Sequence, residues 1–115
     1  MTKIYDLEER TYQFAKNVAI FCKNLTRTIS NIEYSKQLIR SSGSVGANYI
    51  EANESLSKKD FVMRIKISRK EAKESVQWLR LIIETNDKKS EEGENLLKEA
   101  IELKKIFSSI IEKCK

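Results

Sequence analysis

Histidine is absent from the chain's 115 residues, and so is proline. The first absence removes the commonest general base and the commonest metal ligand. It also excludes the Glu-x-x-His ligand pairs of di-metal carboxylate bundles. Glu51 with Glu54 and Glu71 with Glu74 have the i, i+3 spacing of such pairs, and they read instead as solvated or salt-bridged helix faces. The lack of proline, together with only three glycines, leaves too few turn residues for a β-sandwich and suits long helices. No apolar run approaches bilayer-spanning length, and no charged-then-apolar leader opens the chain. The expectation is a soluble, cytoplasmic protein with no membrane contact. Cysteine is limited to Cys22 and Cys114, both at apolar positions of their segments. They could pair only if the two ends of the chain meet, and they read as small core residues kept reduced. Serines are plentiful, but none has a histidine base, and the glycines form no phosphate-binding loop. No catalytic residue, metal site or cofactor is therefore expected, and the chain is not expected to be an enzyme.

What the chain does have is charge, at 34% of residues, laid over helical apolar periodicity. The stretch from Gln37 to Phe61 organises the rest. Its middle is crowded with Ser41, Ser42, Gly43, Ser44, Gly46 and Ala47, a composition that suggests a loop. The spacing predicts a helix instead. Tyr34, Leu38, Val45, Tyr49, Ala52 and Leu56 fall on one side of a 3.6-residue helix, and Ser41 and Ser42 share it. Gln37, Arg40, Ser44, Asn48 and Glu51 form a polar stripe on the opposite face. Gly43 and Ala47, four apart, mark a line where another backbone could approach closely.

The other helices follow from caps and stripes. Asp6 with Glu9 resembles a capping box, and Leu7, Thr11, Phe14, Val18, Phe21, Cys22 and Leu25 give the first helix its inward side. Ser30-Asn31 reads as a turn and fresh cap, placing the second helix at about Ile32 to Glu54. Ser57 caps the third helix, whose inward line is Phe61, Ile65, Ser68, Ala72, Val76, Leu79 and Ile83. Ser90 caps the fourth, which has an acidic first turn and an inward face of Leu96, Leu97, Ala100, Leu103, Phe107, Ile110, Ile111 and Cys114. Four helices joined by short connections predict an all-α, antiparallel up-down-up-down four-helix bundle, a single domain over 1–115.

Two surfaces stand out. The third helix carries a second apolar stripe, Met63, Ile67, Trp78 and Leu81, where a helix packed only within a monomer needs one. With the polar stripe Gln37, Arg40, Ser44, Asn48 and Glu51, it forms a candidate oligomer interface; the alternatives are an apolar stripe that merely widens the core contact and a polar stripe that is the solvent face. The net charge of +5 is concentrated in the third helix, where residues 58–86 hold eight basic and four acidic groups. Lys58, Lys59, Lys66, Arg69, Lys70, Lys73 and Arg80 are the candidate nucleic-acid contacts. Lys58 and Lys59 lie in the first turn, where free amides and two ammonium groups could meet a phosphate or simply be solvated.

The run from Gln37 to Glu51 (QLIRSSGSVGANYIE), then Lys58-Lys59-Asp60-Phe61 and later Glu74 with Trp78-Leu79, resembles the 23S ribosomal RNA intervening-sequence proteins. Asp6-Leu7, Phe14-Ala15 and Val18 fit as well, so the resemblance covers nearly the whole chain. One departure is Glu51-Ala52, where many members have Glu-Gly. The resemblance implies a small four-helix bundle that assembles as a homopentamer, with a largely undefined biochemical role. It also implies a relationship to the accessory proteins of diversity-generating retroelements, basic pentameric barrels that associate with nucleic acid and a reverse transcriptase. The leading expectation is a homo-oligomeric bundle, with a pentamer implied, that binds structured RNA or DNA through basic helix faces. The competing one is a protein-interaction scaffold with no nucleic-acid ligand.

Overall fold

The computed structural model describes residues 6–115. Among them are four helices in the expected order: α1 (Leu7–Lys23), α2 (Ile29–Asn53), α3 (Lys58–Thr85) and α4 (Glu91–Lys113). Short connections reverse the chain each time, so neighbours run antiparallel around a ring. At 1.5 Å per residue α3 is about 42 Å long, which takes it along nearly the whole 46 Å length of the molecule.

The core is built from each helix's inward stripe. Phe14, Val18, Leu38, Val45, Ile65, Ala72, Leu79, Leu103 and Phe107 are fully or almost fully buried. α2 and α3 share the most extensive contact of the ring, and α1 and α4 the thinnest. Small residues explain the first. Ser41 and Ser75 join hydroxyls across the seam at 2.9 Å, and Ser68 donates to the Val45 carbonyl at 2.9 Å. Ser75 also donates to the Glu71 carbonyl one turn back. Buried serines therefore stay paired while the two backbones come close. The thin α1–α4 seam is tied by a forked ion pair, with Arg10 Nε 2.7 Å and Nη2 2.9 Å from the Glu99 carboxylate. That hydrogen bond raises the Arg10 pKa above its ordinary value, against the opposing effect of desolvation.

The second helix is continuous through its serines and glycines, as the apolar spacing predicts. Its first residue differs. Thr28, not Ser30-Asn31, is the N-cap, accepting from the Asn31 amide at 3.1 Å. The Asn31 side chain is used elsewhere. Its amide pairs reciprocally with that of Asn86 at 2.9 Å each way and donates to the Thr26 carbonyl. The α1–α2 connection is thus fastened to the end of α3. Ser57 and Ser90 cap as expected, accepting from Asp60 and Gly93 amides. Asp6 holds the N-cap position of α1 without a side-chain capping hydrogen bond.

Three further expectations are corrected. The buried line of α3 is Ile65, Ser68, Glu71, Ala72, Ser75, Leu79 and Ile82, turned toward α2 by that close seam, while Val76 and Ile83 are only half-buried. Leu56 is fully exposed, because α2 ends at Asn53 and the residue falls in the connection. The close approach belongs to Gly46, not to Gly43 and Ala47. A Cβ on Gly46 would lie 2.8 Å from Thr11 Oγ1, whereas one on Gly43 meets nothing within 4 Å. Gly43 and Ala47 are exposed. Cys22, in the last turn of α1, and Cys114, capping the end of α4, lie at opposite ends of the bundle as half-buried free thiols. Burial raises the Cys22 pKa, with a hydrogen bond to Ser35 acting the other way.

Candidate nucleic-acid interface

Four of the seven basic residues singled out on the third helix come together at one place. Lys66, Arg69, Lys70 and Lys73 line a shallow cleft of about 400 Å³ between α3 and α4. They meet because steps of three and four residues keep side chains on one helix flank. The opposite wall is Lys104 and Ser108 of α4. Arg69 is half-buried, and its Nη1 lies 3.5 Å from Ser108 Oγ, so the guanidinium lies across the cleft toward α4. No carboxylate lines the cleft, and none of its five cations forms an ion pair among the described residues.

The remaining three lie apart from it. Lys58 and Lys59 are exposed in the first turn of α3 beside the Ser57 cap, and Arg80 reaches toward Glu84 at 4.0 Å. Lys104 was not among the sequence candidates. Its own helix carries lysines on several faces, and only the rotation of α4 against α3 sets this one opposite Arg69. A residue four positions before a serine on a half-buried flank was the signal available.

The two stripes of the candidate interface form one outer surface along the α2–α3 seam. Arg40 crosses it to Glu74 at 2.7 Å and approaches Glu71 at 3.5 Å, and Arg64 donates to Asn48 Oδ1 at 3.0 Å. Asn48 also donates to the Ser44 carbonyl, while Gln37 and Glu51 remain exposed. Met63 is 55% exposed, and Ile67 and Leu81 are half-buried. Trp78 packs within the bundle, its ring 5.9 Å from that of Tyr34, and its buried indole nitrogen has no acceptor among the described residues.

A second concavity has the opposite character. Between α1 and α4 a groove of about 610 Å³ is walled by Gln13, Asn17, Asn95, Glu91, Glu92 and the Arg10–Glu99 pair. α4 therefore presents carboxylates on one flank and the cationic cleft on the other. Among the described residues no cluster of carboxylates or cysteines could hold a metal ion, and no helix is long and apolar enough to cross a membrane.

Fold and surfaces together define a small antiparallel four-helix-bundle protein whose most distinctive surface is a cationic cleft. The chain belongs to the 23S rRNA-intervening sequence protein family, whose model matches residues 4–109. Among solved structures it is similar to a protein of unknown function from the S23 ribosomal protein family of Bacteroides thetaiotaomicron. The two share 31% identity and superpose with a TM-score of 0.79, over 90% of this chain and 96% of the other. A search of the curated proteins found no match.

Proposed function

We propose that this protein is a cytoplasmic, non-enzymatic homo-oligomer that binds structured RNA or another nucleic acid through the basic flank of α3. The observation that carries the reading is the convergence of Lys66, Arg69, Lys70 and Lys73 in a cleft with no carboxylate to neutralise them. Unpaired cations at close quarters repel one another, and a polyanion relieves that repulsion while releasing its condensed counterions. The non-enzymatic part rests on the sequence, which offers no histidine to act as a general base. The deciding experiment is a salt titration of RNA binding with circular dichroism as the folding control. Wild type binds a structured RNA at micromolar concentration or below in about 50 mM salt and weakens steeply as salt rises. Lys66→Glu, Arg69→Glu and Lys73→Glu together abolish binding in a folded protein, since Lys66 and Lys73 are exposed and Arg69 half-buried. A folded triple variant that binds like wild type defeats the reading. A wild type that binds nothing gives the lead to the scaffold alternative, for which Tyr12, Ile20, Ile39 and Ile50 on the outside of α1 and α2 are the available apolar contacts.

Assembly is part of the same proposal, with the five-fold state that the family resemblance implied. Its support is the apolar facet of Met63, Ile67 and Leu81 beside the polar stripe of α2. Met63→Glu with Ile67→Glu should dissociate the oligomer and leave helicity intact; Trp78 is spared because it packs at a tilt against Tyr34 of the same chain. Light scattering that finds wild type monomeric at micromolar concentration ends this part of the proposal.

A further inference from the structure

We infer that the ligand of the α3–α4 cleft is the phosphodiester backbone of a nucleic-acid duplex, with one strand laid along the cleft mouth and contacted by Arg69 of α3 and Lys104 of α4. The inference rests on the nucleic-acid reading above and says which part of the ligand is held, and by which residues.

Three features of the cleft lead there. Its lining is entirely lysine, arginine and serine, so it has donors for phosphate oxygens but no aromatic or apolar platform for a base. Single strands are held largely by stacking on aromatic side chains, which this cleft does not offer. A duplex turns its bases inward and asks only for phosphate contacts. The second feature is length. Lys66 and Lys73 are seven residues apart on α3, about 10 Å at 1.5 Å per residue, the axial rise of about three phosphate-to-phosphate steps of one duplex strand at about 3.4 Å each. The third is the positioning of Arg69. Its guanidinium lies toward Ser108 at 3.5 Å and half out of solvent, so a planar fork is already aimed across the cleft before a ligand arrives. Lys104, half-buried opposite, supplies the point charge on the far side.

The test is fluorescence anisotropy with the full chain and four probes of matched charge: a blunt RNA duplex, the same duplex as DNA, a single-stranded homopolymer and poly-glutamate. The duplexes bind more tightly than the single strand, and poly-glutamate binds weakest. Lys104→Gln lowers the magnitude of the salt slope by about one and duplex affinity about eightfold near 0.1 M salt, as loss of one phosphate contact requires. Arg69→Lys keeps the charge but loses the fork, and weakens duplex binding about fivefold. Lys98→Gln, exposed on α4 away from the cleft, removes the same charge and leaves the slope unchanged. If wild type binds duplex and Lys104→Gln matches Lys98→Gln, the cleft assignment is overturned while the nucleic-acid reading stands. Single strand binding as tightly as duplex, or poly-glutamate competing equally, overturns the duplex backbone as the ligand. A wild type that binds none of the four probes removes both proposals together.

Discussion

Gly46→Ala lowers the melting temperature by about 4–8 °C, while Gly43→Ala, three residues earlier on the same helix, raises it by about 3–6 °C. The two glycines share a helical backbone, with no positive φ at either, so conformational freedom does not separate them. Surroundings do. A methyl on Gly46 would lie 2.8 Å from Thr11 Oγ1 and 3.2 Å from Thr11 Cβ. Thr11 is buried, β-branched and bonded through its hydroxyl to the Glu8 carbonyl, so it has no room to turn aside. The helices must part instead, and such overpacking costs about 1–3 kcal/mol. At Gly43 the added methyl meets open space, and only the helix-propensity gain of about 0.8–1 kcal/mol remains. Gly46→Leu should be worse than Gly46→Ala, with α1 released from α2. Thermal melts followed by circular dichroism measure all three, and equal midpoints for the two alanine variants would refute the assignment of the close contact.

Asn31→Asp destabilises the fold by about 2–4 kcal/mol at pH 7, although the two side chains have nearly the same shape. The Asn31 amide donates to the Thr26 carbonyl and to Asn86 Oδ1, both at 2.9 Å. A carboxylate there turns two hydrogen bonds into contacts between acceptors, in a residue only 2% exposed. Rotating the Asn86 amide is no remedy, because its Nδ2 also donates to the Ile82 carbonyl. Burial and neighbouring acceptors raise the pKa of the introduced carboxyl above its unfolded value of about 3.9. The folded state then holds the proton more tightly than the unfolded one. The penalty is therefore full above the raised pKa and shrinks as pH falls toward about 3.9. Urea unfolding of both proteins between pH 7 and pH 4 checks this, with the difference in midpoint narrowing on acidification. A difference that stays constant with pH, or is absent at pH 7, is incompatible with the clamp.

The same residues show where sequence reasoning succeeds and where it stops. Periodicity was enough for the four helices, and Ser57 and Ser90 announced their helices because a cap is a local bond spanning three residues. Asn31 is different. Its neighbours made it look like part of a turn, but its partner Asn86 lies 55 positions away, and no local pattern encodes that pairing. Gly43 and Gly46 are indistinguishable by spacing until the side on which α1 packs is known. The cationic flank of α3 was legible as a helical repeat of lysine and arginine. Its counterpart Lys104 was not, since belonging to the cleft depends on how two helices are rotated about their axes.

The opposed flanks of α4 make the molecule an electrical lever. Carboxylates of the α1–α4 groove and ammonium groups of the α3–α4 cleft sit on either side of one helix, so the separation of charge persists even where net charge is modest. In the field of a long anion such a body experiences a torque as well as an attraction. It is rotated during diffusion, before any surface touches, so that the acidic flank trails and the basic one leads. For the polyanionic ligand proposed above, a larger share of collisions would then begin in a productive orientation, speeding association without adding a contact.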